Sequence, residues 1–213
     1  MKDYSMLFMD IAKRTAIESN CVKYKVGAVI VRDNRIILQG YNGTISGFTN
    51  CSVKFKGVDM TLDVNREEHR NWSNSFEVHA EMNIISYAAR KGISLEGTTM
   101  YCTHAPCNNC LKHLIQAGVK EVIYECDHAD RTKLSDRESL LKLIKVRGFM
   151  ILNMTKNLKS SIAQTRAQVI KFTRYVDKWE RDGEVLKERA ARNMLNIYVK
   201  KLDDLRAELK KQK

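Results

Sequence analysis

The chain has 213 residues, 44% apolar and 29% charged, with a formal net charge of +12. That excludes a disordered polymer and suits one domain of roughly 150 residues with an extension. No stretch approaches the roughly 20 apolar residues that cross a bilayer. The opening residues lack an apolar signal core, so no membrane partner is expected and a cytoplasmic protein is. In such a chain, six cysteines at 21, 51, 102, 107, 110 and 126 point to metal or catalysis rather than disulfides.

Met6, Leu7, Met9, Ile11, Ala12, Ala16 and Ile17 predict an amphipathic helix over 3–19. Residues 26–31 and 36–38 read as two strands, joined by turn residues 32–35 into an antiparallel hairpin. Residues 40–76 show no clear period, and so long a loop needs something to tie it down. A helix follows over 78–91, ended by Gly92, then a strand at 98–102. Pro106 is expected at the first helical position of the next helix, which Gly118 stops. A strand at 119–125, a helix at 135–147 and a strand at 149–154 complete the series. The order predicts a three-layer α/β/α fold with a five-stranded mixed sheet, parallel where strands alternate with helices.

Beyond 155 the pattern changes. Ile162, Thr165, Val169, Phe172, Val176 and Trp179 form a heptad seam with one polar member. Asp182 and Gly183 break it, and Tyr198, Leu202, Leu205 and Leu209 resume it. Two domains are expected: 1–155, and a basic helical hairpin or coiled-coil assembly arm over 156–213. Residues 1–155 carry 21 Lys and Arg against 17 Asp and Glu; 156–213 carry 16 against 8. The arm therefore holds two thirds of the net charge, either as a solvated helical face or as a contact for nucleic acid.

The chemistry-bearing residues sit at two helix starts. His79 and Glu81 lie at one, Cys107 and Cys110 at the next, and the topology brings both to one edge of the sheet. One imidazole and two thiolates suit Zn2+, whose fourth position stays open for water in catalytic sites. A helix N-terminus favours the thiolate form. Glu81, two residues past His79, is placed to take a proton from that water and pass it to a leaving group. A redox dithiol would also use CxxC, but it leaves His79 and Glu81 unexplained.

The pair H-x-E and P-C-x-x-C resembles the zinc deaminase signature. KVGAVI at 25–30, GYNG at 40–43, Asn50 with Cys51, HAEMN at 79–83 and PCNNC at 106–110 resemble the deoxycytidylate (dCMP) deaminase family, the phage-type members most. The likeness covers about residues 1–155. It implies hydrolysis of dCMP to dUMP, feeding thymidylate synthesis, in a hexamer activated by dCTP with Mg2+ and inhibited by dTTP. Gly40, Tyr41 and Gly43 become candidates for the effector site, with Arg90 near it at a subunit interface. Lys25, Asn42, Ala80, Tyr101 and Thr103 are candidates for substrate binding, and His104 sits at the same rim. Some phage members hold a second, structural zinc, and Cys21, Cys51, His69 and Glu77 match its ligands. That site would pin residues 40–76. Cys102 and Cys126 read as core, and His113 as surface. Two other readings stay open: a deaminase of tRNA or single-stranded DNA gripping its strand with the basic arm, and a non-enzymatic zinc-stabilised module. The presence of Glu81 speaks against the latter.

Overall fold

The computed structural model describes residues 4–127, 138–142, 148–182 and 185–211. They form two compact units, Met1–Asn153 and Met154–Lys213.

The first unit is built on a five-stranded sheet of order β2-β1-β5-β6-β7. β1 (Gly27–Arg32) and β2 (Arg35–Tyr41) form the antiparallel hairpin, with Arg32 opposite Arg35. Asp33 and Asn34 both take positive φ, 51° and 59°, the geometry of a type I′ turn. β1 also pairs antiparallel with β5 (Thr99–His104). β5, β6 (Glu121–Cys126) and β7 (Met150–Asn153) run parallel. The sheet is mixed for this reason.

Alternation along β1 and β5 assigns each face. Gly27, Val29, Tyr101 and Thr103 face α1 (Ser5–Ala16), whose buried side is Phe8, Met9, Ala12, Thr15 and Ala16. Leu7 and Ile17, apolar members of the predicted face, are exposed. Ala28, Ile30, Met100 and Cys102 face the other way. They pack with Ile84 and Ala88 of α4 (Ala80–Lys91) and with Leu111 and Leu114 of α5 (Asn108–Gln116) into the main core. Gly92 closes α4 at φ 65°, the left-handed cap only glycine adopts freely. Pro106 stands outside α5: Cys107 is the N-cap, its sulfur accepting the Cys110 N–H at 3.4 Å. Of the helix predicted over 135–147, residues 138–142 are helical and the rest lies outside the described residues.

The segment 40–76 is more ordered than its pattern predicts. It holds β3 (Gly43–Thr44), α2 (Cys51–Lys54) and the 14-residue α3 (Asp63–Phe76), and β3 pairs with β4 (Glu77–Val78). α3 is strongly polar and buries His69 alone. Its inward stripe runs His69, Trp72, Phe76, with Phe55 of the α2 end against both rings. An anchor that is an imidazole escapes a search for apolar period.

The second unit is a helical hairpin. α6 (Met154–Arg181) and α7 (Val185–Lys211) run antiparallel, since Phe172 stacks on Tyr198 at 5.4 Å and Glu180 meets Arg192 at 3.1 Å. Thr165, Val176, Ala191 and Leu202 are the buried seam. Thr165 is the polar member noted in the sequence. The Trp179 side chain lies outside the described residues.

Candidate active site

α4 and α5 present their first turns to one cleft of about 840 Å³. His79 is the N-cap of α4 and Cys107 that of α5. This brings His79 Nδ1 to 3.4 Å from Cys110 Sγ and 3.8 Å from Cys107 Sγ. The fit to a metal can be tested on these distances. With Zn–S about 2.3 Å and Zn–N about 2.0–2.1 Å at tetrahedral angles, an N···S edge measures about 3.6 Å. The two observed edges bracket that value. The three donors lie within 4.8 Å of one another, so the set fits zinc.

Cys107 is lowered to about 4, first by the Cys110 hydrogen bond and then by His79, while Cys110 is pushed up by the same contact. His79 is raised, chiefly by Cys107. Glu81 is 4% exposed and lies against the Cys110 thiol; burial pushes its carboxyl above the usual range. Cys102, fully buried below, is pushed up by burial and by the nearby Glu81 charge.

A second cluster lies beside the first, with Cys21 and His69 in the wall of the same cleft. His69 Nε2 stands 3.5 Å from Cys21 Sγ and 3.3 Å from Cys51 Sγ, again the edges of a small tetrahedron. Burial raises Cys21, raises Cys51 to about 12 and lowers His69. Glu77 stands outside the 4.8 Å group, yet its charge acts on all three donors. Its Oε2 accepts the Ser73 hydroxyl, and its buried Oε1 has no hydrogen-bond partner among the described residues.

The remaining candidates divide. Asn42 is buried in the cleft wall, with Oδ1 accepting the Val26 N–H (2.8 Å) and Nδ2 donating to the Tyr24 carbonyl (2.9 Å). Ala80, fully buried, and His104 also line the cleft. Lys25 does not; its ammonium donates to the Ile17 carbonyl at 3.3 Å. Tyr101 and Thr103 point to the α1 face, where Tyr101 meets Ser5 and Thr103 accepts the Gly27 N–H. Gly40 lies where a Cβ would stand 2.7 Å from Ile84, so β2 and α4 could not approach with any larger residue there. Tyr41 is exposed, its carbonyl taking the Asn83 amide; Gly43 has open space around it. Arg90 lies over the Tyr87 ring. His113 is exposed, and so is Cys126, the last residue of β6.

The profile described as cytidine and deoxycytidylate deaminase, zinc-binding region, matches residues 3–126. The chain belongs to this deaminase family. The deoxycytidylate deaminase of enterobacteria phage T4 is 37% identical over 152 residues, covering 59% of this chain and 78% of the phage protein. The human deoxycytidylate deaminase is 37% identical over 121 residues, covering 56% and 63%. A solved dCMP deaminase from cyanophage S-TIM5, in complex with dCMP and dUMP, matches with TM-score 0.55 and 31% identity over 72% of this chain and 99% of that one. This deaminase is thus a hydrolytic enzyme of a zinc-binding family.

The cleft also contains residues that the sequence pattern did not single out. Arg70, Ser73 and Asn74 project from α3, three and four residues apart, and Lys23, Tyr24 and Asn108 face the same space. The helical spacing of 70, 73, 74 and 77 was the available signal, but it is polar and sits in a segment without apolar period.

Proposed function

We propose that this deaminase hydrolyses dCMP to dUMP, which supplies thymidylate synthesis. The observation that carries the reading is a buried Glu81 beside the His79, Cys107 and Cys110 cluster, in a cleft of nucleotide size, in a chain 37% identical to a phage deoxycytidylate deaminase. His79, Cys107 and Cys110 would hold zinc, which when bound acidifies water at the site. Glu81 is the group that moves protons. Its carboxyl raised above the usual range by burial, it takes two protons in turn from the attacking water, giving one to cytosine N3 and the other to the departing amine. A C4–O bond forms, the C4–N bond breaks, and ammonia leaves. The Ala80 backbone lies between ligand and acid, where it can meet the base edge. Asn42 spends half its hydrogen-bonding capacity on the 24–26 segment and keeps the rest for the sugar. Lys23 and Arg70 line the cleft and Lys25 does not, so the phosphate is assigned to that pair.

Cys21, Cys51 and His69, with Glu77 completing the set, are proposed to hold a second, structural zinc. The matching edge lengths and the orphan Glu77 oxygen support it. Activation by dCTP with Mg2+, inhibition by dTTP and a hexameric assembly belong to the same reading. They rest on the GYNG element at 40–43 and on the exposure of Tyr41 and Arg90. Six free cysteines favour a cytoplasmic setting.

The test is direct. Purified protein is given dCMP, with and without dCTP and Mg2+, and dUMP is measured. Turnover that rises with dCTP supports both the reaction and the effector site. Turnover indifferent to dCTP retires the effector site, and no dUMP from zinc-loaded protein overturns the reaction.

A further inference from the structure

The helical hairpin lies outside the family match, which ends at residue 126, and its charge is not spread evenly over its surface. From residue 154 through 176, α6 carries Lys156, Lys159, Arg166, Lys171 and Arg174 and no acidic residue. The seam toward α7 uses Thr165, Phe172 and Val176. Arg174 is two residues from both Phe172 and Val176, and on a helix that spacing points away from them. Lys171, Arg174, Lys178 and Arg181 recur at three, four and three residues, so they share this outward face, and all four are exposed. The nearest acids, Asp177 within the row and Glu180 beside it, both act on Arg192 across the hairpin, Glu180 at 3.1 Å. Four cations thus stand in a row about 15 Å long at about 1.5 Å rise per residue.

We propose that the outward face of α6 docks on the phosphate backbone of duplex DNA, independently of sequence. The row places four exposed cations along one helix face. A helix with a cationic ridge suits the groove and flanking phosphates of a duplex. Single-strand binders instead pair a groove with open aromatic platforms. Here Phe172 is stacked on Tyr198, and Lys171 covers the Tyr175 ring at 5.7 Å. A second copy of the chain is a poor occupant, because it brings the same positive face. The nucleic acid is a tether and not the substrate: the cleft residues all belong to the other unit.

The test uses the full chain, fluorescence anisotropy and a labelled random-sequence duplex. The expected result is binding whose logarithm falls with log salt at a slope of about −4 for four phosphate contacts. Lys171→Glu with Arg174→Glu should weaken binding more than tenfold, lower the slope by about two, and leave dCMP turnover unchanged. A charge-matched control on the first unit, Lys112→Glu with Lys120→Glu, should bind as the parent does. Helix content by circular dichroism checks that the hairpin still forms. The proposal is overturned by no binding at low salt or by a double variant that binds like the parent. Tighter binding to single-stranded DNA, or to phosphatidylglycerol vesicles, overturns it as well.

Discussion

Replacing His69 by Ala isolates the second cluster from the catalytic one. His69 touches both thiols, at 3.5 and 3.3 Å, and its ring packs on Phe55 at 5.1 Å. Structural zinc sites contribute about 10–16 kcal/mol at neutral pH. Shared over four ligands, one donor carries about 2.5–4 kcal/mol, or roughly 10²–10³ in zinc affinity at about 1.4 kcal/mol per decade. The segment's own apolar packing is small. The apolar cluster there consists of Cys21, Cys51 and Phe55, with Met60 and Trp72 half-buried. Metal analysis after dialysis against a weak chelator should fall from two zinc per chain to one. Hydrogen exchange should accelerate over 51–76 and stay slow in β1 and β5. His69→Cys, which keeps a donor but not the ring, should recover the zinc and most of the protection. A parent protein holding one zinc, or His69→Ala still holding two, would refute the assignment and leave a hydrogen-bonded thiol–imidazole cluster.

Three further outcomes are expected. Glu81→Gln should retain zinc and lose about 10²–10⁴ in kcat, the usual weight of general acid–base help; parent-like turnover sinks the proposed role. Gly27→Ala would put a Cβ 2.2 Å from the Ala12 carbonyl oxygen of α1, so about 1–3 kcal/mol of overpacking is expected. Thermal unfolding should then shift down by about 2–4 °C per kcal/mol. In zinc-stripped protein, Cys107, lowered to about 4, stays a thiolate until the pH drops toward that value, whereas Cys51, pushed up to about 12, is protonated at neutral pH. Mass-mapped alkylation at pH 6 should therefore label Cys107 and spare Cys51.

Much of this was legible from residue order alone. Strands β1 and β2 announce themselves by apolar runs around an Asp33-Asn34 turn, and α4 by its period and Gly92. The juxtaposition of His79 with Cys107 and Cys110 follows from two helix starts meeting at one sheet edge. Other parts were hidden for physical reasons. α3 is a helix whose buried anchor is polar, so period counting passed over it, and Arg70 with it. Lys25 and Lys23 are indistinguishable by composition, and only the path of the 24–26 segment, pinned by Asn42, decides which of them faces the cleft. Cys126 is apolar enough for a core strand, but it is the last residue of β6 and exposed. Pro106 suits the position before an N-cap as well as the first helical position.

The pairing of β3 with β4 has an architectural consequence. Two residue pairs, Gly43 with Val78 and Thr44 with Glu77, close the whole excursion of residues 45–76. The entropy of closing a loop grows only with the logarithm of its length, about 0.6 kcal/mol per doubling. Once that narrow neck is formed, the excursion can lengthen, shorten or be exchanged at little cost to the sheet. His79 sits immediately past the neck, so whatever the excursion becomes, the imidazole emerges from the same point and at the same angle. Remodelling this region, by mutation or by design, would leave His79 in place while replacing Arg70 and the His69 cluster.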